Sequence, residues 1–389
     1  MPAAHTDTDC LLRLAAAGGP LAPRRALLRT YASPGAAFAA GPAAWAASGL
    51  APRQIHALRA PPPDRSLAWL DAPDHHVVGW HDPDYPSLLR HAPNPPLALF
   101  VAGDAGLLWH PMVAVVGSRA PSGSGHDTAR AFCDAFARDG LGVASGLAAG
   151  IDTVAHTATL DAGGPTVAVL GCGPDRHYPA SNATLQTRIA RHGAVVSEFL
   201  PGTPARREHF PARNRIVAGL ALGTLVVEAA QRSGALITAR LAADAGREVF
   251  AIPGSIRNPK ARGCHRLIRD GAQLVESPAE VVAALNAAAS ALGGALRRRL
   301  GTPTDGAGCP SDTPGDDPEY EDPDYNRLWK ALGHDPTDMD RLVERTGLTA
   351  ARASAMLLLM ELDGRVLVEH GRYSRTSATT RPQGAGRGQ

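Results

Sequence analysis

The sequence lacks the features of a disulfide-rich, zinc-binding or membrane-spanning protein. Its five cysteines lie far apart and form no CxxC pair, which excludes a disulfide framework and gives no zinc motif. No apolar run approaches the roughly 18 residues that a membrane span requires. The first residues also lack the basic and long apolar segments of a secretory signal. We therefore predict a cytoplasmic protein with no membrane contact.

Metal ligands at a recognisable spacing are also missing. Fifteen histidines include the adjacent His75 and His76, but no carboxylate or cysteine recurs near them at ligand spacing. The sequence likewise shows no nucleophile and base pair and no paired acids. We predict no metal, no cofactor and no catalytic residue.

Lysine and aromatic residues are scarce. Lys260 and Lys330 are the only lysines among 39 basic residues, so the remainder are arginines. A GC-rich coding bias produces the same excess of arginine. Only the positions of the arginines can therefore indicate whether they contact phosphates. Aromatic residues make up 5% of the chain. If nucleic-acid bases stack on this protein, guanidinium planes must supply much of the stacking surface.

The net charge of +2 conceals an uneven distribution. Residues 311–324 hold seven acids and no base, so the rest of the chain carries +9 and could bind polyanions. This acidic stretch lies inside the Pro-, Gly- and Asp-rich segment 301–325, whose composition cannot bury a core. It is expected to be a linker.

The apolar pattern predicts an α/β protein of several domains. Residues 1–84 form a small helical domain, of the SAM or helix-hairpin-helix kind. Residues 85–290 alternate strand-like apolar runs with helices, which predicts a doubly wound, Rossmann-like, mostly parallel sheet with its ligand site at the carboxyl ends of the strands. Residues 291–324 form the acidic linker. Residues 325–375, three helices and a two-stranded ribbon, are typical of a winged helix, and 376–389 are predicted to be a disordered tail.

The first strand of the central domain, VAVV, ends in the turn GSRAPSGSG at 117–125. Gly117 permits close approach of a ligand, Ser118 offers a hydroxyl, and the amides entering the next helix point at anions. The turn lacks the G-x-G-x-x-G spacing of a dinucleotide site and the acid after the second strand that would hold a ribose. A guanidinium at Arg119 fits a phosphate or a stacked base.

The next two strand ends carry similar features. In SGLAAGID, Ser145, Gly146 and Gly150 allow backbone approach, and Asp152 is expected to cap helix amides. In LGCGPDRHYPASN, Tyr178 either stacks on a base or covers the edge of the sheet. Both turns are expected on the ligand side of the sheet.

The densest cluster of cations and amides opens the helix in HFPARNRIVAGL, at Arg213, Asn214 and Arg215. The fifth strand ends in VVEAAQRSGALITA, where Glu228 is expected to hold Arg213 or Arg215 in place. Ser233, Gly234 and Thr238 then open a helix whose amides would face the same ligand. A basic rim follows, made of Arg257, Lys260, Arg262, Arg266 and Arg269.

The presumed recognition helix of the winged helix has a different character. It carries ASAMLLLMEL, with Arg352 as its only base. Such a surface suits a protein contact better than a DNA major groove. We predict a supporting or partner-binding role for this domain.

Taken together and in order, GSR, SGLAxGID, LGxGxxxxYPxxN, FPxRNRI, VVEAxxxSGxLITA, IPG and GxxxLIxxGA resemble the motifs of the DNA-processing protein A family, also called Smf. The resemblance covers residues 85–276. It implies an extended Rossmann fold that binds single-stranded DNA, forms a homodimer, and loads the RecA recombinase onto incoming DNA during natural transformation. The chain departs from common family residues at His265, Ser124 and Ala180, where relatives have asparagine, tyrosine and lysine.

The motifs and the resemblance together predict nineteen DNA-binding residues. They are Gly117, Ser118, Arg119, Ser145, Gly146, Gly150, Asp152, Tyr178, Asn182, Arg213, Asn214, Arg215, Glu228, Ser233, Gly234, Thr238, Lys260, Gly263 and His265.

Two functions of other classes compete with DNA binding. A nucleotide-cleaving phosphoribohydrolase pairs an arginine with a glutamate on a similar fold, and GTLVVE at 223–228 invites the comparison. That signature needs a double glycine and one residue fewer before the glutamate, and neither is present. A cofactor-binding oxidoreductase is disfavoured by the missing dinucleotide fingerprint.

Overall fold

A computed structural model describes residues 6–300, 323–333, 336–362, 365–369 and 371–375. Their helices are α1 (Asp7–Ala16), α2 (Leu21–Thr30), α3 (Pro34–Ala39), α4 (Gly41–Ala47), α5 (Pro52–Ala57), α6 (Asp64–Leu70), α7 (Ser87–His91), α8 (Gly123–Arg138), α9 (Ile151–Asp161), α10 (Ala183–His192), α11 (His209–Leu220), α12 (Ala235–Asp244), α13 (Arg262–Arg269), α14 (Pro278–Leu300), α15 (Pro323–Ala331), α16 (Met339–Thr346) and α17 (Ala350–Leu362). Their strands are β1 (His75–Gly79), β2 (Ala98–Gly103), β3 (Met112–Val116), β4 (Gly142–Ser145), β5 (Thr166–Val169), β6 (Ala194–Ser197), β7 (Gly223–Val226), β8 (Glu248–Ala251), β9 (Gln273–Leu274), β10 (Thr337–Asp338), β11 (Val366–Glu369) and β12 (Arg372–Arg375).

The central domain is built on a nine-stranded sheet with the order β1-β2-β6-β5-β4-β3-β7-β8-β9. In this order the strands from β6 to β9 run parallel, while at one edge β2 pairs antiparallel with β6 and β1 pairs antiparallel with β2. The predicted α/β fold with a mostly parallel sheet is thus confirmed. The chain steps from β3 toward β6 and then returns to place β7 on the other side of β3. Ligand sites of such sheets lie beside this reversal, at the carboxyl ends of the strands.

Each face of the sheet is covered by helices, as a doubly wound fold requires. Met112, Ala114 and Val116 of β3 belong to one apolar cluster, and Val113 and Val115 belong to another. Alternate residues of a strand point to opposite faces, so a strand buried on both faces must be apolar throughout. This requirement explains the uninterrupted VAVV run.

The amino-terminal helices α1 to α5 pack around an apolar cluster that includes Leu14, Leu27 and Trp45, whereas Trp69 of α6 packs on a cluster of the central sheet. Within the segment 1–84, however, β1 pairs with β2 and belongs to the central sheet. Helices precede this strand as predicted, but the proposed boundary at residue 84 stays a prediction.

The long helix α14 lies against the face covered by α8. Its stretch Pro278–Leu296 is long and apolar enough to cross a membrane by length and composition, the one such helix in the described residues. Val281, Leu285 and Leu292 are buried in the cluster of Phe132 and Phe136. These contacts are those of a helix that packs on a protein core.

The carboxyl-terminal domain is a winged helix, as predicted. Helices α15, α16 and α17 enclose a core of their own with a three-stranded sheet in the order β10-β12-β11. The two-residue strand β10 was not expected from the sequence. Residues 291–300 belong to α14 rather than to the predicted linker; the linker from 301 to 322 and the tail 376–389 lie outside the described residues.

Candidate functional site

A cavity of about 670 Å³ opens at the carboxyl ends of β3, β4 and β7, where the strand order reverses. Sequence analysis predicted ten of its lining residues: Gly117, Arg119, Gly146, Asp152, Tyr178, Arg213, Asn214, Ser233, Gly234 and Thr238. The other nine predicted residues are not part of this lining. Five strand-to-helix segments, far apart in sequence, therefore converge on one cleft.

The turn after β3 is held by the start of α9. Gly150 has φ of +85°, and a Cβ there would lie 2.3 Å from the Ser118 carbonyl oxygen, so only glycine fits without displacement. The Ile151 amide donates to that same carbonyl at 3.0 Å. This packing fixes the Ser118–Arg119 turn and leaves Arg119 exposed at the mouth of the cavity.

The floor of the cavity is a buried arginine. Arg213 is only 4% exposed, and its Nη1 donates to the Val169 carbonyl oxygen at 2.7 Å. A Cβ on Gly146 would lie 1.8 Å from that Nη1, so the glycine makes room for the guanidinium. Burial lowers the pKa of Arg213, and the nearby Asp152 opposes this shift.

Asp152 does not cap α9, contrary to the sequence prediction. Its carboxylate accepts from the amides of Gly146 at 3.2 Å and Ala148 at 3.3 Å, which belong to the preceding loop. Burial raises the pKa of Asp152, and the charge of Arg213 works against that rise. The Asp152 and Arg213 charges thus lie together beneath the glycine-rich loop, where each offsets part of the other's desolvation.

The outer wall adds residues that sequence reasoning missed. Arg207 and Arg232 are exposed and line the cavity, and Phe210 lies beside Tyr178 with ring centroids 5.1 Å apart. Tyr178 itself is 48% exposed and lines the cavity, so its ring is accessible to a ligand. Arg207 and Phe210 precede the predicted Arg213-Asn214-Arg215 cluster in the chain.

The expected partnership of Glu228 with an arginine is wrong. The Glu228 carboxylate accepts from the Ser122 amide at 2.9 Å and from Asn258 Nδ2 at 3.2 Å. Arg215 instead forms a bidentate ion pair with Glu198, with both N–O distances 2.6 Å. Arg215 therefore lies outside the cavity lining, and Glu228 links two loops of the rim.

Several other predicted residues shape the cavity from behind it. Ser145 Oγ donates to the Val115 carbonyl oxygen at 2.6 Å, and Asn182 Nδ2 donates to that of Leu147 at 3.0 Å. The Gly263 amide donates to the Ala229 carbonyl oxygen at 2.7 Å, in a contact too close for a side chain. These residues hold the loops whose neighbours form the lining.

The predicted basic rim is only partly at the cavity. Lys260 Nζ donates to the Ala120 carbonyl oxygen, which brings it beside the Arg119 turn. His265 Nε2 lies 2.9 Å from the Gly254 carbonyl oxygen and donates to it. Arg266, by contrast, pairs with Asp270 and lines a separate groove between α12 and α13.

The cavity is suited to anions. Four arginines and one aspartate are its charged lining residues. Their guanidinium groups stand beside glycine-rich loops where a ligand can reach backbone amides. Among the residues that the structure describes, no group of three or more His, Cys, Asp or Glu side chains could hold a metal ion.

His156 lies one helical turn beyond Asp152 on α9, and its burial can be tested by a change of pH. It is fully buried with Nδ1 2.7 Å from Thr166 Oγ1, and burial lowers its pKa from 6.5 to about 3. Between these values the unfolded state binds a proton that the folded state refuses, so acidification destabilises the fold. We expect the wild-type protein to lose about 2 kcal/mol more of unfolding free energy than His156→Gln between about pH 7 and pH 5, measured by denaturant titration. Equal losses would mean that His156 is readily protonated in the folded protein.

Comparison with known proteins matches the central domain and the winged helix to two separate family models. The family model of DNA recombination-mediator protein A matches residues 76–286, and that of the DprA winged helix domain matches residues 311–372. Protein Smf of Escherichia coli K12 is 40% identical over 313 residues, covering 80% of each protein. DNA processing protein DprA of Streptococcus pneumoniae is 48% identical over 202 residues, covering 52% of this chain and 71% of that protein.

A solved structure shares the fold. The X-ray structure of DNA processing protein A from Streptococcus pneumoniae superposes with a TM-score of 0.62 at 38% sequence identity. The match covers 70% of this chain and 95% of that one.

Proposed function

Because the chain belongs to the DNA recombination-mediator protein A family, also named DprA or Smf, we propose that its cavity binds single-stranded DNA and performs no bond chemistry. The observation that carries the proposal is the cavity itself. Arg119, Arg207 and Arg232 are the exposed arginines of its lining, which also contains Gly117, Gly146 and Gly234 from three strand ends. Such a site offers cations and amides to a chain of phosphates.

The geometry favours unpaired over paired nucleic acid. Phosphates would meet the exposed guanidinium groups and loop amides, while a splayed base would enter beside Gly117 or stack on the accessible ring of Tyr178. Stacking of this kind accepts any base, and a duplex hides its base faces. Single strands should therefore bind more tightly at equal charge.

A titration with labelled oligonucleotides tests this function. Single-stranded and duplex DNA of equal length are titrated with the full chain at two salt concentrations. The proposal expects tighter binding of the single strand, with an affinity that falls as salt rises because arginines displace counterions from phosphates. Equal affinity for both forms, or an affinity unaffected by salt, would contradict it.

The exposed ring of Tyr178 gives a more local prediction. Stacking on an aromatic ring contributes about 1 to 3 kcal/mol per base, so Tyr178→Ala should weaken single-strand binding by about tenfold. Tyr178→Phe keeps the ring and serves as the matched control, with near wild-type affinity expected. Fluorescence anisotropy measures both. If the alanine variant binds as well as wild type, the ring covers the sheet edge and stacks on no base.

The finer parts of the function rest on family membership. We propose that the protein acts in the cytoplasm as a homodimer, protects incoming single strands during natural transformation, and loads RecA recombinase onto them. Light scattering at increasing concentration tests the dimer. RecA filament formation on protein-coated single strands, compared with uncoated strands, tests the loading.

The competing phosphoribohydrolase has little support at this site. Its glutamate would have to reach a substrate, whereas Glu228 accepts hydrogen bonds from Ser122 and Asn258 outside the cavity lining. Incubation with nucleoside monophosphates, followed by detection of free base, discriminates between the two functions. Release of base would establish the enzyme.

A further inference from the structure

Helix α17 of the winged helix has two buried faces. Ala353, Met356, Leu357 and Met360 belong to the core of its own domain. On another side, the spacing of Ala351, Ser354, Ala355 and Leu358 places these residues on a second stripe that lines an interface with the central domain. Apolar residues therefore lie on two sides of the helix, and protein covers both sides.

The second face packs on the central domain with almost no space. Leu358 is 6% exposed and belongs to the same apolar cluster as Leu285 and Leu292 of α14 and Leu88 of α7. The cavity left between α17 and α14 measures about 20 Å³. That volume accommodates about one water molecule, so little room is left at this part of the interface.

A buried ion pair joins the two domains. Glu361 near the end of α17 accepts from Arg247 Nη1 at 3.0 Å, and their side chains are 2% and 5% exposed. Arg247 Nη2 also lies 3.4 Å from the Leu88 carbonyl oxygen. Removing one partner of such a pair leaves a buried uncompensated charge, which is far more costly than replacing both with apolar groups.

The ribbon of the winged helix makes a second contact with the central domain. The Gly371 amide donates to the Asp244 carbonyl oxygen at 3.2 Å, at the end of α12. A Cβ on Gly246 would lie 2.8 Å from the Tyr373 hydroxyl oxygen, so the chain after α12 is glycine where Tyr373 packs on it. The interface thus includes both the helix and the ribbon of the winged helix.

The exposed end of α17 is poorly equipped to contact DNA. Recognition helices present their amino-terminal residues to base edges. Here these residues are Ala350, Ala351 and Arg352, and Arg352 pairs with Asp324 at 2.8 Å. Farther along the helix, the two protein contacts bury Ala353, Met356, Leu357, Leu358, Met360 and Glu361.

We propose that α17 is an intramolecular docking helix, which attaches the winged helix to the central domain through Leu358 and the Arg247–Glu361 pair, and that it does not read duplex DNA. The corresponding helix of a DNA-reading winged helix must be free to enter a major groove. In this chain that position is taken by α14 and α7. The proposal concerns docking alone and is independent of single-strand binding in the cavity.

Hydrogen exchange of the full chain tests the docking. Glu361→Ala should accelerate amide exchange in α17 and in the facing part of α14 by about tenfold or more, since it leaves Arg247 buried without its carboxylate. Glu344→Ala, an exposed acid on α16, is the matched control and should exchange like wild type. The double variant Arg247→Met/Glu361→Leu should restore most of the protection, because both charges are removed together.

Four results would overturn the proposal. Glu361→Ala could leave exchange in α17 and α14 unchanged, or wild-type α14 and α17 could exchange as fast as exposed helices. Failure of the double variant to recover protection would show that the pair has no specific role in docking. Duplex binding by the wild-type chain that is lost in Arg352→Ala would show that α17 contacts DNA. Unaltered single-strand affinity in Glu361→Ala would separate this result from any failure of the cavity.

Discussion

Arg119→Ala is expected to weaken single-strand binding by about tenfold, since a charge-assisted contact contributes about 1.5 to 3 kcal/mol. It should also reduce the slope of log affinity against log salt by about 0.7, the value for one phosphate contact on a single strand. Arg119 is exposed on a turn that α9 fixes from behind, so the truncation removes a ligand group without opening the core. Anisotropy titrations over a range of salt concentrations measure both effects.

Two further variants make this result specific. Arg138 is exposed at the carboxyl-terminal end of α8, away from the cavity. Arg138→Ala should therefore change neither the affinity for single strands nor the slope of that affinity with salt. Arg119→Lys keeps the charge but loses the planar guanidinium, so the slope should recover and the affinity only in part. A lysine variant equal to wild type would show that Arg119 acts as a point charge. An alanine variant equal to wild type would remove Arg119 from the proposed interface.

The sheet could be predicted because its central strands are buried on both faces. A strand such as Val113–Val116 is apolar on both faces, so its sequence is an uninterrupted apolar run. A helix also follows each of the central strands along the chain. The edge strand β1 was missed for the opposite reason. Its sequence HHVVG is half polar, and its pairing with β2 depends on a distant part of the chain.

The cavity was predictable as a place but not in all its contacts. Successive residues of a helix are turned by about 100°, so Arg213 and Arg215 on α11 point in nearly opposite directions. Arg213 faces the cavity with Phe210 and Val217, while Arg215 faces Glu198. This difference in direction follows from the sequence spacing alone, and it could have assigned Arg213 and Arg215 to opposite sides of α11. The partners of Glu228, by contrast, come from loops whose approach no local pattern encodes.

The winged helix shows a similar limit. The apolar run in α17 predicted a protein contact rather than a DNA contact, because few polar groups were available to meet bases. Which protein it meets could not follow from the run. The structure places α14 against it, together with Arg247, which lies more than 100 residues before Glu361 in the chain.

Gly146→Ala should be the most damaging small substitution in the cavity. The added methyl group would lie 1.8 Å from Arg213 Nη1 and 2.4 Å from its Cζ, so the guanidinium must move. Movement breaks the hydrogen bond to Val169 and separates the buried charges of Arg213 and Asp152. Disrupting a buried charge arrangement costs about 3 to 5 kcal/mol. We expect a loss of that order in unfolding free energy, measured by denaturant titration, together with loss of single-strand binding.

Gly123→Ala is the matched control, because a Cβ there meets nothing within 4 Å and the residue opens α8 near the same edge. It should be neutral or slightly stabilising. A cycle with Arg213→Ala then identifies the cause of the damage. In the Arg213→Ala background the guanidinium is absent, so the added methyl group has room. There Gly146→Ala should lower the unfolding free energy by less than about 1 kcal/mol. If the two substitutions instead add independently, or if Gly146→Ala is as stable as wild type, the glycine is not there to accommodate Arg213, and the floor of the cavity must be held by other contacts.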